Sequence, residues 1–175
     1  MNAQVEQVKM YVGGKWIGTE QEIEVRDPQN NEIIATVPSA TKEDVLHAIE
    51  EAKEGVNVAA SLSVHERISI LKKAAQLMEE RINEFAVTIA KEGSKTIREA
   101  TNEVKRAIET ITISAEEARR INGETISFDQ RPGSENRVGY YYRFPIGLIV
   151  AITPFNDPLN LVAHKVGPAI ASGNA

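Results

Sequence analysis

The feature that most constrains this chain is the order of patterns in residues 146–175. An apolar, β-branched run from Leu148 to Ile152 has the length of a fully buried strand. Thr153-Pro154 ends it. Leu159, Val162, Ala163, Val166 and Ile170 follow at helical spacing on one face, and Ser172-Gly173-Asn174 signals a helix exit and a turn. Strand, turn, helix and turn are most of a βαβ unit, whose second parallel strand would come next. The chain reaches Ala175 before supplying that strand, so the expectation is a piece of a larger α/β protein.

The remaining sequence is consistent with one domain that has a real core. The chain has 175 residues, 42% of them apolar, and a formal charge of −5. Lys and Arg are interspersed with Glu, so no basic surface for nucleic acid is expected. There is no run of about 18 apolar residues for a membrane span, and the first residues lack the pattern of a signal peptide. The simplest expected address is cytoplasmic. The absence of Cys excludes disulfides and thiolate metal sites, and no His/Asp/Glu cluster has metal spacing. His47 and His65 fall on charged helix faces and read as surface.

Short strands are expected first. Val8 to Val12 and Lys15 to Ile17 flank Gly13-Gly14, a hairpin signal. Glu22 to Val25 and Glu32 to Val37 flank the turn Asp27-Pro28-Gln29-Asn30-Asn31. Three long helices follow. Thr41 with Asp44 opens the first, whose buried stripe is Val45, Ala48, Ile49, Ala52 and Val56. Ser63 with Glu66 opens the second, whose stripe Ile68, Leu71, Ala75, Met78, Ile82, Phe85 and Ile89 runs to Gly93. The third spans about Thr96 to Ile121, burying Ile97, Ala100, Val104, Ala107, Ile108 and Ile111. Glu124 to Phe128 and Arg137 to Phe144 alternate around a loop and read as a hairpin arm. The expected divisions are 1–129, a helical and β layer; 130–145, the arm; and 146–175, the first strand and helix of a parallel sheet.

Several segments, in order, resemble the aldehyde dehydrogenase superfamily. Pro154-Phe155-Asn156-Asp157-Pro158 matches its Pro-(Trp/Phe)-Asn-x-Pro motif, with Phe155 in place of the commoner Trp. Lys165, Pro168 and Ala169 match the helix that follows, and Gly173-Asn174 the next strand entrance. Upstream, Tyr11-Val12-Gly13-Gly14-Lys15-Trp16, Asp27-Pro28 with Ile33 to Pro38, and Glu92-Gly93-Ser94-Lys95 agree, the last with Gly and Ser exchanged in order. The likeness covers nearly the whole chain but only about the first third of a family enzyme. It implies an α/β fold of short β-hairpins, three long helices, an extended hairpin arm and the start of an incomplete parallel Rossmann-like sheet.

The resemblance also implies roles. Asn156 would give the oxyanion its side-chain amide donor, and Lys165 would join a proton relay. Ile152, Thr153, Pro154 and Phe155 would line the nicotinamide side of an NAD or NADP cleft. Asp157, Asn160, Leu161 and His164 would share a substrate-facing side of the helix, and their polarity suggests a small polar or anionic aldehyde. The family nucleophile is a Cys thiolate, which no residue here supplies. The chain alone is therefore expected to be inactive and to bind cofactor weakly or not at all. Lys95 is not expected to be the cofactor-binding Lys. The arm from 137 to 144, with Tyr140, Tyr141, Tyr142 and Phe144, would join a neighbouring subunit in a homo-oligomer.

Blander readings stand beside these. Asn156 also reads as a turn or cap residue before Pro158, Asp157 as a first-turn acid, Lys165 as a solvated Lys, and the arm as a strand over its own core. A non-catalytic assembly or binding module is the alternative function.

Overall fold

Capping chemistry sets where the helices begin. The computed structural model describes residues 5–175. Thr41 and Asp44 exchange side-chain and backbone hydrogen bonds and start α1, Lys42–Ser61. Ser63 and Glu66 do the same for α2, Val64–Glu80, and Thr96 and Glu99 for α4, Ile97–Glu117. Between them lies α3, Ile82–Gly93, and a short 3-10 turn, Ala118–Arg120, ends α4. The single helix expected from Ser63 to Gly93 is thus two. Arg81 breaks it at φ −117° and ψ 20°, and its guanidinium pairs with Glu84 and lies 5.4 Å from the Phe85 ring centre.

Among the described residues the small strands form three separate sheets. The first pairs β1 (Glu6–Gln7) parallel to β5 (Ile33–Pro38), and β5 antiparallel to β4 (Glu22–Arg26). The second is the hairpin of β2 (Met10–Val12) and β3 (Lys15–Ile17). The third is the arm, β6 (Glu124–Ser127) and β7 (Val138–Tyr141), with Glu124 opposite Tyr141. The two strands expected on either side of the loop thus pair with each other.

The core lies between α2, α4 and the last helix, α5, Asn160–Ala171. Ala163, Gly167 and Ala171 recur every four residues and face α4. A Cβ added at Gly167 would lie 2.6 Å from the Ser114 hydroxyl oxygen and 3.1 Å from the Ser114 Cβ. The lack of a side chain at Gly167 is what lets the two helices approach so closely. A second cluster joins Ala86 and Ile89 of α3 to Ala100 and Val104 of α4.

Two burial expectations are corrected. The stripe of α1 contains no buried residue, and Val45 is half exposed. Gly55 and Val56 of that helix lie near Ala175 and Gly147, and its Glu51 near Gly13. Ile97, the first residue of α4, is also exposed.

The segment from Leu148 to Ile152 is extended but forms no ladder strand. One parallel step does exist. Ala175 donates to the Gly147 carbonyl at 3.0 Å, and its own carbonyl accepts from Ile149 at 2.8 Å, so Leu148 sits opposite Ala175. Among the described residues, none pairs in this way with residues 150–156. The helix starts at Asn160, two residues later than Pro158. It ends in a Schellman turn, with Gly173 at φ +79° and Asn174 N–H bonded back to the Ala169 carbonyl at 3.0 Å.

Candidate functional site

The family-like residues gather where the extended segment meets α5. Its entrance is fixed by Asn174, a buried side chain whose Oδ1 accepts from the backbone of Ile146 at 2.7 Å and Gly147 at 2.9 Å. Ile152 is 85% exposed and Phe155 93%, so these two large apolar groups are left uncovered. Thr153 is half-buried; Pro154 and Asn156 are exposed.

Past Asn156 the chain is held by charge. Asp157 carries two cations on its two oxygens: Lys95 on one, and Arg106 at 2.8 Å on the other. Lys95 also donates to Glu103 at 2.5 Å. The Glu103 side chain is fully buried, and its second oxygen accepts the backbone N–H of Leu159 at 2.9 Å and of Asn160 at 3.2 Å. Those amides stand at the start of α5, where intrahelical partners are missing, so a carboxylate from α4 caps α5. Hydrogen bonding from Lys95 is the main cause that holds the Asp157 carboxyl below its ordinary 3.8, with burial opposing and Arg106 assisting. Burial works against the Lys95 charge, but its bonds to Asp157 and Glu103 outweigh that and raise its pKa above 10.5.

The four residues expected on one substrate-facing side are therefore divided. Asp157 lies before the helix, and both its oxygens are committed to cations. Asn160 is buried and accepts from the Thr110 hydroxyl at 3.2 Å. Leu161 is half-buried. His164 is exposed and lines two neighbouring hollows. One, of about 470 Å³, is shared with Thr110, Ile113, Ser114 and Glu117 of α4. The other, an open groove of about 750 Å³, runs along Phe144 and Ile149 to Ile152, with Lys165 and Pro168 on the α5 side. Glu117 pairs with Arg120 at 2.6 Å, which offsets its charge beside His164.

Sequence reasoning missed Glu103 and Arg106. A signal for Glu103 was present: it lies three residues after Ala100 and four before Ala107, inside the buried stripe of α4. No comparable signal marks Arg106, which is half exposed. Among the described residues no group of three or more His, Asp or Glu could hold a metal ion, and no helix is long and apolar enough to cross a membrane.

Known proteins share this fold. The model of the aldehyde dehydrogenase family matches residues 16–175. A 3-sulfolactaldehyde dehydrogenase of Priestia aryabhattai is 45% identical over 172 residues, which is 98% of this chain and 36% of that protein. The crystal structure of aldehyde dehydrogenase 21 from Physcomitrella patens, in complex with the reaction product succinate, matches at 35% identity and TM-score 0.91, over 98% of this chain and 36% of that one. The NADP-dependent glyceraldehyde-3-phosphate dehydrogenase from Bacillus halodurans, complexed with NADP, matches at 33% identity and TM-score 0.90, over 98% and 37%. The chain thus spans about a third of the length of these relatives. Motifs, fold and matched length agree that this chain belongs to the aldehyde dehydrogenase family.

Proposed function

We propose that the chain is the N-terminal part of an NAD(P)-dependent enzyme that oxidises a small polar aldehyde to its carboxylic acid through a thioester, with Asn156 as an oxyanion donor. The observation that carries this is the placement of Asn156. It is an exposed amide just past the carboxyl end of a segment that has begun parallel pairing, and its following residue is tied down by two cations. Sites in α/β sheets gather at such strand ends. A neutral amide stabilises an oxyanion formed by thiolate attack without disturbing the thiolate's own charge.

The exposed edge from Ile152 to Phe155 fits the nicotinamide side of a cofactor cleft. It offers uncovered apolar surface against which a flat ring packs. When bound, NAD or NADP supplies the hydride acceptor. Ile152 and Phe155 exclude water beside that ring, and Thr153 and Pro154 hold the backbone between them extended. Lys165, on the groove wall, is the candidate for moving a proton near the site.

His164, with Leu161 beside it, forms the substrate side in this reading; Asn160 is left out, because it is buried and bonded to Thr110. Sulfolactaldehyde and glyceraldehyde 3-phosphate each carry an anionic group besides the aldehyde, and succinate is a dicarboxylate. The exposure of His164 on two hollows supports its meeting such a group. Asp157 is left out of the substrate wall, because Lys95 and Arg106 already occupy its carboxylate.

The test is Asn156→Ala in the longer enzyme. Loss of one oxyanion donor is expected to lower kcat by on the order of 100-fold, while thermal stability changes little. An unchanged kcat would remove Asn156 from the mechanism. The 175-residue chain, assayed alone, is expected to show no NAD(P)-linked aldehyde oxidation, because it offers no Cys thiolate.

A second reading, an assembly module, is favoured by the arm. Val138 is 89% exposed, Tyr142 69% and Phe144 80%, so the arm presents apolar surface that this chain does not cover. Sedimentation at low micromolar concentration distinguishes a self-associating chain from a monomer of 19.2 kDa.

A further inference from the structure

We infer that Lys95, Glu103 and Asp157 act together as a tether that positions the Asn156 amide, an inference that rests on the reading of Asn156 as oxyanion donor. Residues 150–156 have no regular secondary structure, and Asn156 itself is exposed. Nothing in that stretch fixes an amide to the accuracy that oxyanion stabilisation requires. The two ends of the stretch are fixed. On the entrance side, Asn174 and Ala175 hold Ile146, Gly147 and Ile149. On the exit side, hold points follow Asn156 immediately: the Asp157 carboxylate, then the Leu159 and Asn160 amides.

All the exit-side points trace to Lys95 and to α4. Lys95 touches both carboxylates, and its side chain is only 20% exposed. Glu103 is fully buried and divides its oxygens between Lys95 and the start of α5. Glu103 thereby joins the Lys95–Asp157 pair to the first residues of the helix, so that the residue after Asn156 and the helix start share one anchor. Arg106 adds a second cation to Asp157 from one turn further along α4. A charged cluster built on a buried carboxylate contributes little net stability against an apolar replacement, but here its bonds tie the residue after Asn156 and the start of α5 to one point. Lys95, Glu103 and Asp157 are positioning residues in this account, since they act through Asn156 and not on the substrate.

The experiment is a double-mutant cycle in the longer enzyme, reading kcat, KM for the aldehyde and melting temperature for Lys95→Met, Asn156→Ala and the pair. Lys95→Met is expected to lower kcat by about 10-fold or more, since small misplacements of a catalytic group are costly. KM should change much less. In the Asn156→Ala background the same substitution should lower kcat by less than about twofold, because the group it positions is gone. The drop in melting temperature should be equal in both backgrounds, which separates folding from positioning. An equal kcat loss in both backgrounds would overturn the tether and leave the role of Asn156 intact. So would a Lys95→Met enzyme that melts earlier but turns over normally. A fully active Asn156→Ala enzyme would overturn the oxyanion assignment, and the tether with it. Should Lys95→Met fail to fold, Asp157→Asn, which removes one charge on a partly exposed side chain, carries the same comparison.

Discussion

The two flanks of α5 are built on opposite rules. Toward α4, the contact is made by Ala163, Gly167 and Ala171, all buried, at a separation that a single extra carbon would violate. Toward the extended segment, His164, Lys165 and Pro168 border an open groove whose other wall is Phe144 and Ile149 to Ile152. Apolar residues occur on both flanks. Ile111 on the closed side is 6% exposed, and Ile152 on the open side 85%. Hydrophobicity alone does not separate stability from function here; coverage by the rest of the chain does. The closed flank holds the helix, and the open flank presents it.

Substitutions on the two flanks can break this contrast. The largest effect is expected from Glu103→Ala on the closed side, which leaves Lys95 with Asp157 alone, vacates a buried site and uncaps α5. A loss of about 3 kcal/mol in denaturant unfolding is expected. A loss below about 1 kcal/mol would mean that the buried carboxylate is not an anchor. Gly167→Val comes next. Overpacking against Ser114 should cost between about 1 and 3 kcal/mol by the same measurement, and Ser114→Ala should recover part of it.

The ionic cluster gives a pH test of smaller size. Asp157 has a lowered pKa, so its contribution is present above its ordinary 3.8 and is lost as pH falls through the depressed folded value. Lys95 has a raised pKa, so its contribution is present below its ordinary 10.5 and is lost as pH rises through the elevated folded value. The melting-temperature difference between the chain and its Lys95→Met variant should therefore be flat well inside that interval. A step near neutrality would assign the cluster to another titrating group. The smallest effect belongs to the open flank. Ile152→Ser should change stability by less than about 0.5 kcal/mol, and a larger loss would show that this surface is covered in solution.

Local chemistry was legible in the sequence. Thr41 with Asp44 and Ser63 with Glu66 cap helices where their spacing said they would, and Gly173-Asn174 ends α5 as read. The stripe of α4 from Ala100 to Ile111 is buried or half-buried along its length. What escaped was long-range or compensated. The apolar spacing from Ile68 to Ile89 passes straight through Arg81, because α3 resumes in a phase that leaves the pattern unbroken. Val45 and Ile97 carry the right periodicity, but no partner element reaches them. Asp157 read as a first-turn acid or a substrate contact, and its actual partner, Lys95, lies 62 residues earlier. No local rule links those two positions. The site's backbone path was thus readable from motifs, while the charges that hold it required the fold.

The carboxylate of Glu103 has one more consequence, for how the molecule breathes. The first amides of a helix ordinarily lack intrahelical partners and trade their hydrogens with water freely. At α5 the amides of Leu159 and Asn160 are shielded by a side chain that is itself out of reach of solvent. Their hydrogens leave only when α4 and α5 part, so they report on the opening of the core and not on fraying of a helix end. A few residues upstream, the exposed backbone between Ile152 and Asn156 has no such cover. The boundary between fast and slow exchange therefore falls just past Asn156, between the N–H of Asp157 and that of Leu159, since Pro158 carries none.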